Sequence, residues 1–335
     1  MTDLSIITVC HNGWDRLNKC LEALNTFSGI NVRAEVIVVN NKSDDNTIHK
    51  IEEQYQKFRF IYNTVNGGFA NGCNLGVKIA KGEYLLFLNP DTVAAESEIE
   101  KLFNTAKQNP EYTIVSCRQL NENGKESISY GQFPSIFNLT GFQRAIFGHL
   151  APDIGHLTKH AGRHTPNTPH YIPDISFPDW VSGSVMLIKH DTLKKLGGFD
   201  EDFWMYFEDV DLCRRIRNNR GEIAFCRNIS IEHNHGGSSR VNLKTTSITK
   251  TEVHISRHVY ISKHSSGIEK IIIHIFLVVN NLISGVIMAL IGLIFFFVPK
   301  LFSRTIIYFR LISYYTGSLF RLSWISPRSV NSLKK

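Results

Sequence analysis

The chain has 335 residues, of which 43% are hydrophobic and 20% are charged, a composition that argues against general disorder. Its formal net charge of +7 is unevenly distributed, because residues 240–335 contain 13 Lys and Arg against two Glu, whereas residues 1–239 contain 24 basic and 28 acidic side chains. This asymmetry indicates a mildly acidic folded region joined to a basic tail, and basic tails bind nucleic acid or anionic membranes.

The N-terminal region has the pattern of a parallel α/β unit. Residues 4–9 and 34–39 are short β-rich apolar runs, and the apolar side chains of residues 16–26 recur at helical spacing between them. Polar clusters follow both runs, at the strand ends where ligands of such sheets bind. The candidate ligand-binding residues of this region are Thr8, Asn12, Asn40 and Asn41.

These clusters have two interpretations. An Asn amide can hold a pyrimidine edge because it both donates and accepts hydrogen bonds. Asn and Asp are also common turn formers and helix caps, which explains the clusters equally well. No Gly-x-Gly-x-x-Gly follows the first run and no Gly-x-x-x-x-Gly-Lys occurs in the chain, which disfavours a dinucleotide-dependent oxidoreductase and an ATPase.

A glycine-rich loop and a strand end come next. Residues 66–76 contain four glycines and three asparagines at a predicted helix start, where glycine permits close backbone approach to a phosphate or sugar. This favours a binding loop over a plain turn, with Gly67, Gly68 and Asn74 as candidate ligands. Residues 83–88 then predict a buried strand that ends in Asn89-Pro90-Asp91.

Asp91 is the first candidate metal ligand. Pro90 stops the strand, so Asp91 is expected to project from its carboxyl end into the same crevice. A single carboxylate there suits a Mg²⁺ or Mn²⁺ ion shared with a diphosphate. The alternative is an Asp that caps the following helix.

Residues 203–215 combine four aromatic side chains with three carboxylates and two arginines. Carboxylates beside aromatic bulk can have a raised pKa and take a proton from a hydroxyl group. The same segment also fits the first turn of a solvated helix, with Glu208 and Asp209 at its positive end and Asp211 paired one turn along.

The basic tail contains membrane-type sequence. Residues 271–299 carry no charge, which favours a membrane over nucleic acid as the partner. The more basic flank follows this run, so a single span would oppose the positive-inside tendency. A break at Asn280-Asn281 or Gly285 into a re-entrant hairpin, and an interfacial amphipathic helix over residues 302–322, are two further possibilities. We expect embedding from the cytoplasmic side without a full crossing.

The remaining local features point to the cytosol. Residues 1–3 lead directly into the first β-rich run, without the basic start and long apolar core of a signal peptide. The six cysteines are scattered singly, as is typical of reduced thiols.

Taken together, these motifs resemble those of the inverting glycosyltransferases of family 2. The resemblance covers residues 4–239 and is most specific at Gly67 to Ala70, at Asn89 to Thr92, and from Gly197 to Leu212. It implies an α/β fold of the GT-A type, with a mixed, mostly parallel sheet flanked by helices. The apolar run of the tail adds a C-terminal membrane-associated helical segment. The resemblance also implies a nucleotide-sugar-binding half in residues 1–115 and an acceptor-binding and catalytic half in residues 116–240, and the composition adds the basic, apolar tail in residues 241–335.

The resemblance assigns roles to individual residues. Asp209 matches the catalytic base, and Glu208 beside it orients the acceptor. Asp91 matches a metal-binding aspartate, whereas Asn89 and Asn40 stand where many members have Asp. His233, or alternatively His235, supplies a histidine to a Mg²⁺ or Mn²⁺ ion. The residues implied on the acceptor side are Ser182, Gly183 and Trp204.

Within the family, the chain looks most like the rhamnosyltransferases that use dTDP-rhamnose to build O-antigen or related surface polysaccharide. This implies transfer to an undecaprenyl-diphosphate-linked saccharide at the cytoplasmic face of the membrane. The alternatives are a transferase for galactofuranose, mannose or glucose, and a non-catalytic membrane-bound protein that binds a nucleotide sugar. Trp204 could stack on a sugar face or simply pack in the core.

Overall fold

A computed structural model describes residues 2–43, 46–135, 174–234 and 242–334. The chain divides into two compact units. The first comprises Met1–Asn66, Gly72–Phe199 and Asp209–His235, and the second comprises Gly67–Asn71, Asp200–Glu208 and Gly236–Lys335. His235, the alternative metal ligand, lies outside the described residues. The expected division of the first 240 residues into a donor half and an acceptor half remains a prediction.

The first half of the first unit is a parallel sheet with the strand order β3-β2-β1-β4. Its strands are β1 (Leu4–Cys10), β2 (Ala34–Asn40), β3 (Arg59–Tyr62) and β4 (Tyr84–Leu88). The helices that connect them are α1 (Trp14–Asn25), α2 (Thr47–Gln54) and α3 (Gly68–Ile79). All seven residues of β1 are buried, and α1 buries the apolar stripe predicted from its periodicity. The expected α/β architecture is therefore confirmed.

The second half of the unit extends this sheet in a mixed order. The strand β11 (Val185–Lys189) lies antiparallel between β4 and β6 (Tyr112–Leu120). The long strand β12 (Glu222–His233) then runs parallel to β6, and β5 (Thr92–Val93) pairs with its end. The carboxyl ends of β4 and β12 are thereby brought close to each other.

Shorter strands and three helices complete this half. The strands are β7 (Glu126–Ser127), β8 (Tyr130–Gly131), β9 (Ile175–Ser176) and β10 (Trp180–Val181). The helices are α4 (Glu96–Gln108), α5 (His190–Lys195) and α6 (Glu208–Asn218).

The second unit contains the tail helices. These are α7 (Leu243–His264), α8 (Gly267–Ile294), α9 (Pro299–Arg321) and α10 (Val330–Leu333). Among the described residues, α8 is the helix long and apolar enough to cross a membrane, with a mean hydropathy of 2.3 over a window of which 22% is buried. It is thus a candidate for membrane association rather than an ordinary core helix, which would be mostly buried.

The possible break at Asn280-Asn281 or Gly285 does not occur, because α8 runs through all three residues. Asn281 instead donates from its amide to the hydroxyl of Tyr315 in α9 at 2.7 Å. A Cβ at Gly285 would lie 2.8 Å from the ring of Tyr308, so this glycine lets α9 approach α8 closely. The chain turns after α8 and continues as the helix α9, which includes most of residues 302–322, where an interfacial amphipathic helix was one possibility. The interfacial position of this helix remains a prediction.

Candidate active site

Asp91 is aimed by a short turn at the end of β4. The backbone N–H of Asn89 donates to the carbonyl of Ser184 at 2.9 Å, which extends the pairing with β11 by one residue. The hydroxyl of Thr92 donates to the Asn89 carbonyl at 2.7 Å and closes the turn. Asp91 is 8% exposed, and the register places Thr92 opposite His233. Asp91 therefore follows the carboxyl end of β4, as predicted.

The structure brings Asp91 and His233 together. Oδ1 of Asp91 lies 3.2 Å from Nε2 of His233. On the other side of the imidazole, Nδ1 lies 2.6 Å from Oε1 of Gln119, which also accepts a hydrogen bond from the Ser184 hydroxyl at 2.8 Å. His233 is 2% exposed. The imidazole is thus held rigidly between a carboxylate and an amide.

The donor set fits a divalent ion. Because Oε1 of Gln119 is an acceptor, it assigns the imidazole proton to Nδ1, so the Nε2 lone pair faces the Asp91 carboxylate. Two acceptor atoms at this distance can be bridged by a divalent cation. Adjacent ligands of an octahedral ion lie about 3.0 Å apart when each metal–ligand bond is about 2.1 Å, close to the observed separation.

A metal held here would need other ligands besides these two. No group of three or more His, Cys, Asp or Glu side chains suited to a metal occurs among the residues that the structure describes. Mg²⁺ commonly binds one or two protein carboxylates and fills its other positions with water and substrate phosphate oxygens. The Asn89 amide, 3.5 Å from Nε2 of His233, lines the same place.

Asp209 occupies the first turn of α6. Its Oδ2 accepts a hydrogen bond from the backbone N–H of Gly183 at 2.9 Å, and Oδ1 accepts one from Val210 at 2.8 Å. These bonds favour the carboxylate, but burial disfavours it more strongly and raises the pKa of Asp209 above its ordinary value. An oriented carboxylate with a raised pKa is suited to general-base chemistry. Glu208, which precedes it, is 5% exposed.

The segment Ser182-Gly183-Ser184 connects these two groups within the first unit. The Gly183 N–H holds Asp209, and the Ser184 hydroxyl donates to the amide that holds His233. The hydroxyls of Ser182 and Ser184 are themselves 2.8 Å apart. Two of the residues expected on the acceptor side, Ser182 and Gly183, therefore lie between the predicted base and the predicted metal ligands.

The candidate residues at and near the ends of β1 and β2 have hydrogen-bond partners within the protein. The amide oxygen of Asn40 accepts from the backbone N–H of Ser43 at 2.9 Å, and the Asn12 N–H donates to the Ser43 hydroxyl at 3.0 Å. The amide of Asn41 accepts from Asn63 at 2.8 Å. Thr8 is completely buried. The contact of Asn40 with Ser43 is of the turn-forming kind, whereas the other two join residues 31 and 22 positions apart in the chain. The nucleotide-binding role of these residues remains a prediction.

The glycine-rich loop is shaped by contacts with protein groups. Gly68 has a φ of +82°, and a Cβ there would collide with the backbone carbonyl of Trp204, to which the Phe69 N–H donates at 2.8 Å. A Cβ on Gly67 would collide with the side chain of Asn71. This packing explains both glycines without a ligand, so their proposed contact with a phosphate stays a prediction.

Asn74 and Trp204 also have structural partners. Asn74 bridges the backbone of Phe199, donating to its carbonyl at 2.8 Å and accepting from its N–H at 2.9 Å. Trp204 is 6% exposed, and the guanidinium of Arg328 lies 5.5 Å from the centre of its ring. The burial of this indole favours the packing alternative over sugar stacking.

Sequence reasoning did not single out Gln119. It lies on β6 in alternation with Val115 and Cys117, all three completely buried. An amide at a core-facing position of a strand needs hydrogen-bond partners. That was the available signal, but its partner His233 lies 114 residues away in the chain.

Comparisons with known proteins give a consistent result. Residues 5–161 match the sequence model of glycosyl transferase family 2, and residues 168–235 match that of the N-terminal domain of galactosyltransferase. The hexosyltransferase Agl10 of low-salt glycan biosynthesis in Haloferax volcanii is 27% identical over 70% of this chain and 68% of its own length.

Two further relatives are rhamnosyltransferases. The N-acetylglucosaminyl-diphospho-decaprenol L-rhamnosyltransferase of Mycobacterium tuberculosis is 26% identical over 64% of this chain and 71% of its own. The rhamnosyltransferase WbbL of Escherichia coli is 27% identical over 63% and 75% of the two chains.

Among solved structures, GalNAc-T7 with UDP, GalNAc and Mn²⁺ superposes with a TM-score of 0.50 at 14% identity, covering 69% of this chain and 43% of that one. Staphylococcus aureus TarS also has a TM-score of 0.50, at 16% identity and with 79% and 41% coverage. These likenesses concern the fold alone and agree with the expected GT-A type.

Proposed function

Since this chain carries a glycosyltransferase family 2 domain and is a glycosyltransferase, we propose that it moves rhamnose from dTDP-rhamnose to a lipid-linked saccharide in surface polysaccharide synthesis. One observation carries the catalytic part of the proposal. The segment from Ser182 to Ser184 is hydrogen-bonded both to Asp209 and, through Gln119, to His233 beside Asp91. The segment between β10 and β11 thus holds both the proposed base, Asp209, and the proposed metal ligand His233.

The proposed reaction is a single displacement. Asp209 accepts the proton of the acceptor hydroxyl as the hydroxyl oxygen attacks the anomeric carbon of the donor. The bond from that carbon to the diphosphate oxygen breaks, and the configuration inverts. Asp91 and His233 would hold a Mg²⁺ or Mn²⁺ ion, whose charge offsets that of the departing nucleoside diphosphate. Glu208 precedes the base and orients the acceptor.

The proposed donor and acceptor come from the relatives. Two of them are named rhamnosyltransferases, and one of these acts on N-acetylglucosaminyl-diphospho-decaprenol. We propose that the acceptor of the present chain is an undecaprenyl-diphosphate-linked saccharide. A hexose other than rhamnose is the second candidate, because the relative from Haloferax volcanii is named a hexosyltransferase.

A lipid-linked acceptor also accounts for the tail. The outward face of α8 exposes large apolar side chains that a soluble helix would not present. These include Ile275, Ile283, Ile287, Leu290 and Ile294, with exposed fractions from 55% to 67%. We propose that this face is embedded in the cytoplasmic leaflet, beside which the basic residues of the tail contact anionic headgroups.

The test incubates membranes containing the protein with a panel of nucleotide sugars and an undecaprenyl-diphosphate-linked GlcNAc acceptor. We expect transfer from dTDP-rhamnose and none from the UDP-linked or GDP-linked sugars. Asp209→Asn should lower the rate by about 10²–10⁴-fold while donor binding stays within twofold. The matched control is Asp15→Asn, because Asp15 is an exposed carboxylate that also lies in the first turn of a helix.

Three results would separate the parts of the proposal. Transfer from a different donor would replace rhamnose and leave the reaction type intact. Wild-type turnover in Asp209→Asn would reject the assigned base. No transfer from any donor, with a donor-binding signal still present, would reject the proposed reaction.

A further inference from the structure

The residues that lead into the predicted base have a strained backbone. Tyr206 and Phe207 have φ values of +70° and +68°, which non-glycine residues rarely adopt and hardly ever adopt in succession. Asp209 follows two positions later. Strain of this kind persists only where the surroundings impose it, and it concentrates at functional sites. Groups of the tail contact the segment Asp200–Glu208 and restrain its backbone.

The tail helix α7 supplies one set of restraints. The Lys263 ammonium lies 2.7 Å from a carboxylate oxygen of Asp200 and 2.6 Å from one of Asp202, so it ties the start of the segment to the last turn of α7. The Ser256 hydroxyl donates to the Met205 carbonyl at 2.8 Å, directly before the strained pair. The ring of Phe207 lies 5.9 Å from that of Tyr260.

The residues after α9 supply a second set. The amide of Asn331 donates to Oδ1 of Asp202 at 2.9 Å, and the Ser326 N–H donates to the Asp202 carbonyl at 3.2 Å. The guanidinium of Arg328 covers the ring of Trp204. Ser326 is in turn fixed to α7, because its hydroxyl donates to the buried carboxylate of Glu252 at 2.8 Å.

We propose that the tail is a positioning device as well as a membrane anchor, with Lys263 as its principal positioning residue. Lys263 and the residues after α9 hold Asp200–Glu208 in the strained course that sets where α6 begins, and so where the Asp209 carboxylate meets the Gly183 N–H. Lys263 contacts two carboxylates of the segment at once. This inference rests on the proposed role of Asp209 as the base.

The experiment compares Lys263→Gln with Lys263→Arg in the full-length, membrane-bound protein. We expect Lys263→Gln to lower kcat by at least tenfold while the donor Kd and binding to vesicles stay within twofold. We expect Lys263→Arg, which keeps the charge, to recover most of the loss. The matched control is Lys195→Gln, because Lys195 is an exposed lysine that also lies in the last turn of a helix.

A pH profile distinguishes positioning from a general loss of folded protein. If the Gly183 N–H bond to Asp209 lengthens in Lys263→Gln, the carboxylate loses a stabilising contact, and the acid limb of kcat moves to higher pH. A smaller amount of active enzyme would lower the whole profile without moving the limb. Should Lys263→Gln fail to fold, Asn331→Ala removes one restraint near the chain end and should lower kcat two- to fivefold.

Hydrogen exchange of the backbone amides of residues 203–210 tests the inference without any turnover. Faster exchange there in Lys263→Gln than in Lys195→Gln is expected. Unchanged exchange in Lys263→Gln would overturn the positioning role. If the wild type transfers sugar, an unchanged kcat and an unchanged acid limb in Lys263→Gln would also overturn it, and the proposed function would stand. Absence of transfer by the wild type would instead count against the proposed function, and the exchange result would still decide this inference.

Discussion

At Asp209, two opposing effects act on one carboxylate. Hydrogen bonds from the backbone N–H groups of Gly183 and Val210 stabilise the charged form, whereas burial destabilises it and is the larger effect. The result is a carboxylate that is oriented by two N–H donors and yet has a raised pKa. A more basic carboxylate takes a proton more readily, provided that it is deprotonated at the working pH.

The raised pKa predicts a pH dependence of catalysis. The base acts only when deprotonated, so kcat/KM should fall as pH falls through the pKa of Asp209. Because burial raises this pKa, the acid limb should lie above pH 3.8, the ordinary value for an Asp side chain. A profile of kcat/KM between pH 4 and 8 measures it, with circular dichroism at each pH to exclude unfolding. A flat profile down to pH 4 would contradict the prediction.

Gln119 offers a second test at single residues. Gln119→Leu removes the acceptor for Nδ1 of His233. Loss of such a supporting contact weakens metal sites by about 10–100-fold, so the Mn²⁺ concentration for half-maximal activity should rise by that factor. Gln119→Glu keeps an acceptor and should stay close to the wild type. Equal metal requirements in all three proteins would show that His233 is not a ligand.

At the scale of elements, the start of α3 shows how a glycine can be required for packing alone. Gly68 has a left-handed backbone conformation, and the carbonyl of Trp204 occupies the space that its Cβ would need. The sequence pattern suggested a phosphate-binding loop, but packing alone also requires a glycine at this position. The two roles are compatible, but only the packing role follows from the contacts described.

Gly68→Ala should therefore destabilise the protein for two separable reasons. Gly124 has a similar φ of +71° with nothing within 4 Å of a Cβ, so Gly124→Ala measures the backbone strain by itself. That strain costs about 1–2 kcal/mol, and the collision with Trp204 should add about 1–3 kcal/mol. Urea unfolding of both variants gives the difference. Equal losses would mean that the carbonyl moves away without cost.

Helix α8 gives the second lesson at this scale. Two asparagines and a glycine in an apolar run suggest a break, but Asn281 and Gly285 form contacts between helices instead. Asn281 bonds to Tyr315, and Gly285 admits the ring of Tyr308. A polar residue in such a helix can mark a contact with the neighbouring helix rather than an end.

At the scale of the whole molecule, the tail should determine where the protein is found. Ile283→Glu with Ile287→Glu places two charges on the exposed face of α8, whose side chains there are 65% and 61% exposed. Losing two apolar contacts of about 1.5–3 kcal/mol each should weaken binding to anionic vesicles by more than about 100-fold. Ile30→Glu, at a residue 84% exposed in the first unit, is the control. Vesicle flotation measures the bound fraction, and unchanged flotation would reject α8 as the anchor.

The sequence by itself determined the α/β architecture and the basic, apolar character of the tail, and it indicated the candidate catalytic side chains. Alternation and helical spacing are local patterns, so β1, α1 and β2 could be predicted from them. The position of Asp91 after β4 followed in the same way, because Pro90 ends the strand. Charge and hydropathy are likewise properties of composition, and they predicted that α8 is apolar enough to associate with a membrane.

Only the tertiary structure decided how these side chains work together. The bond between His233 and Gln119 exists because β12 lies beside β6, and the link to Asp209 exists because β11 lies between β4 and β6. Strand order has no local signature, since it results from the packing of the whole sheet. The same reason explains why Asn74, Gly68 and Trp204 were predicted to contact ligands while the structure shows their contacts with protein groups.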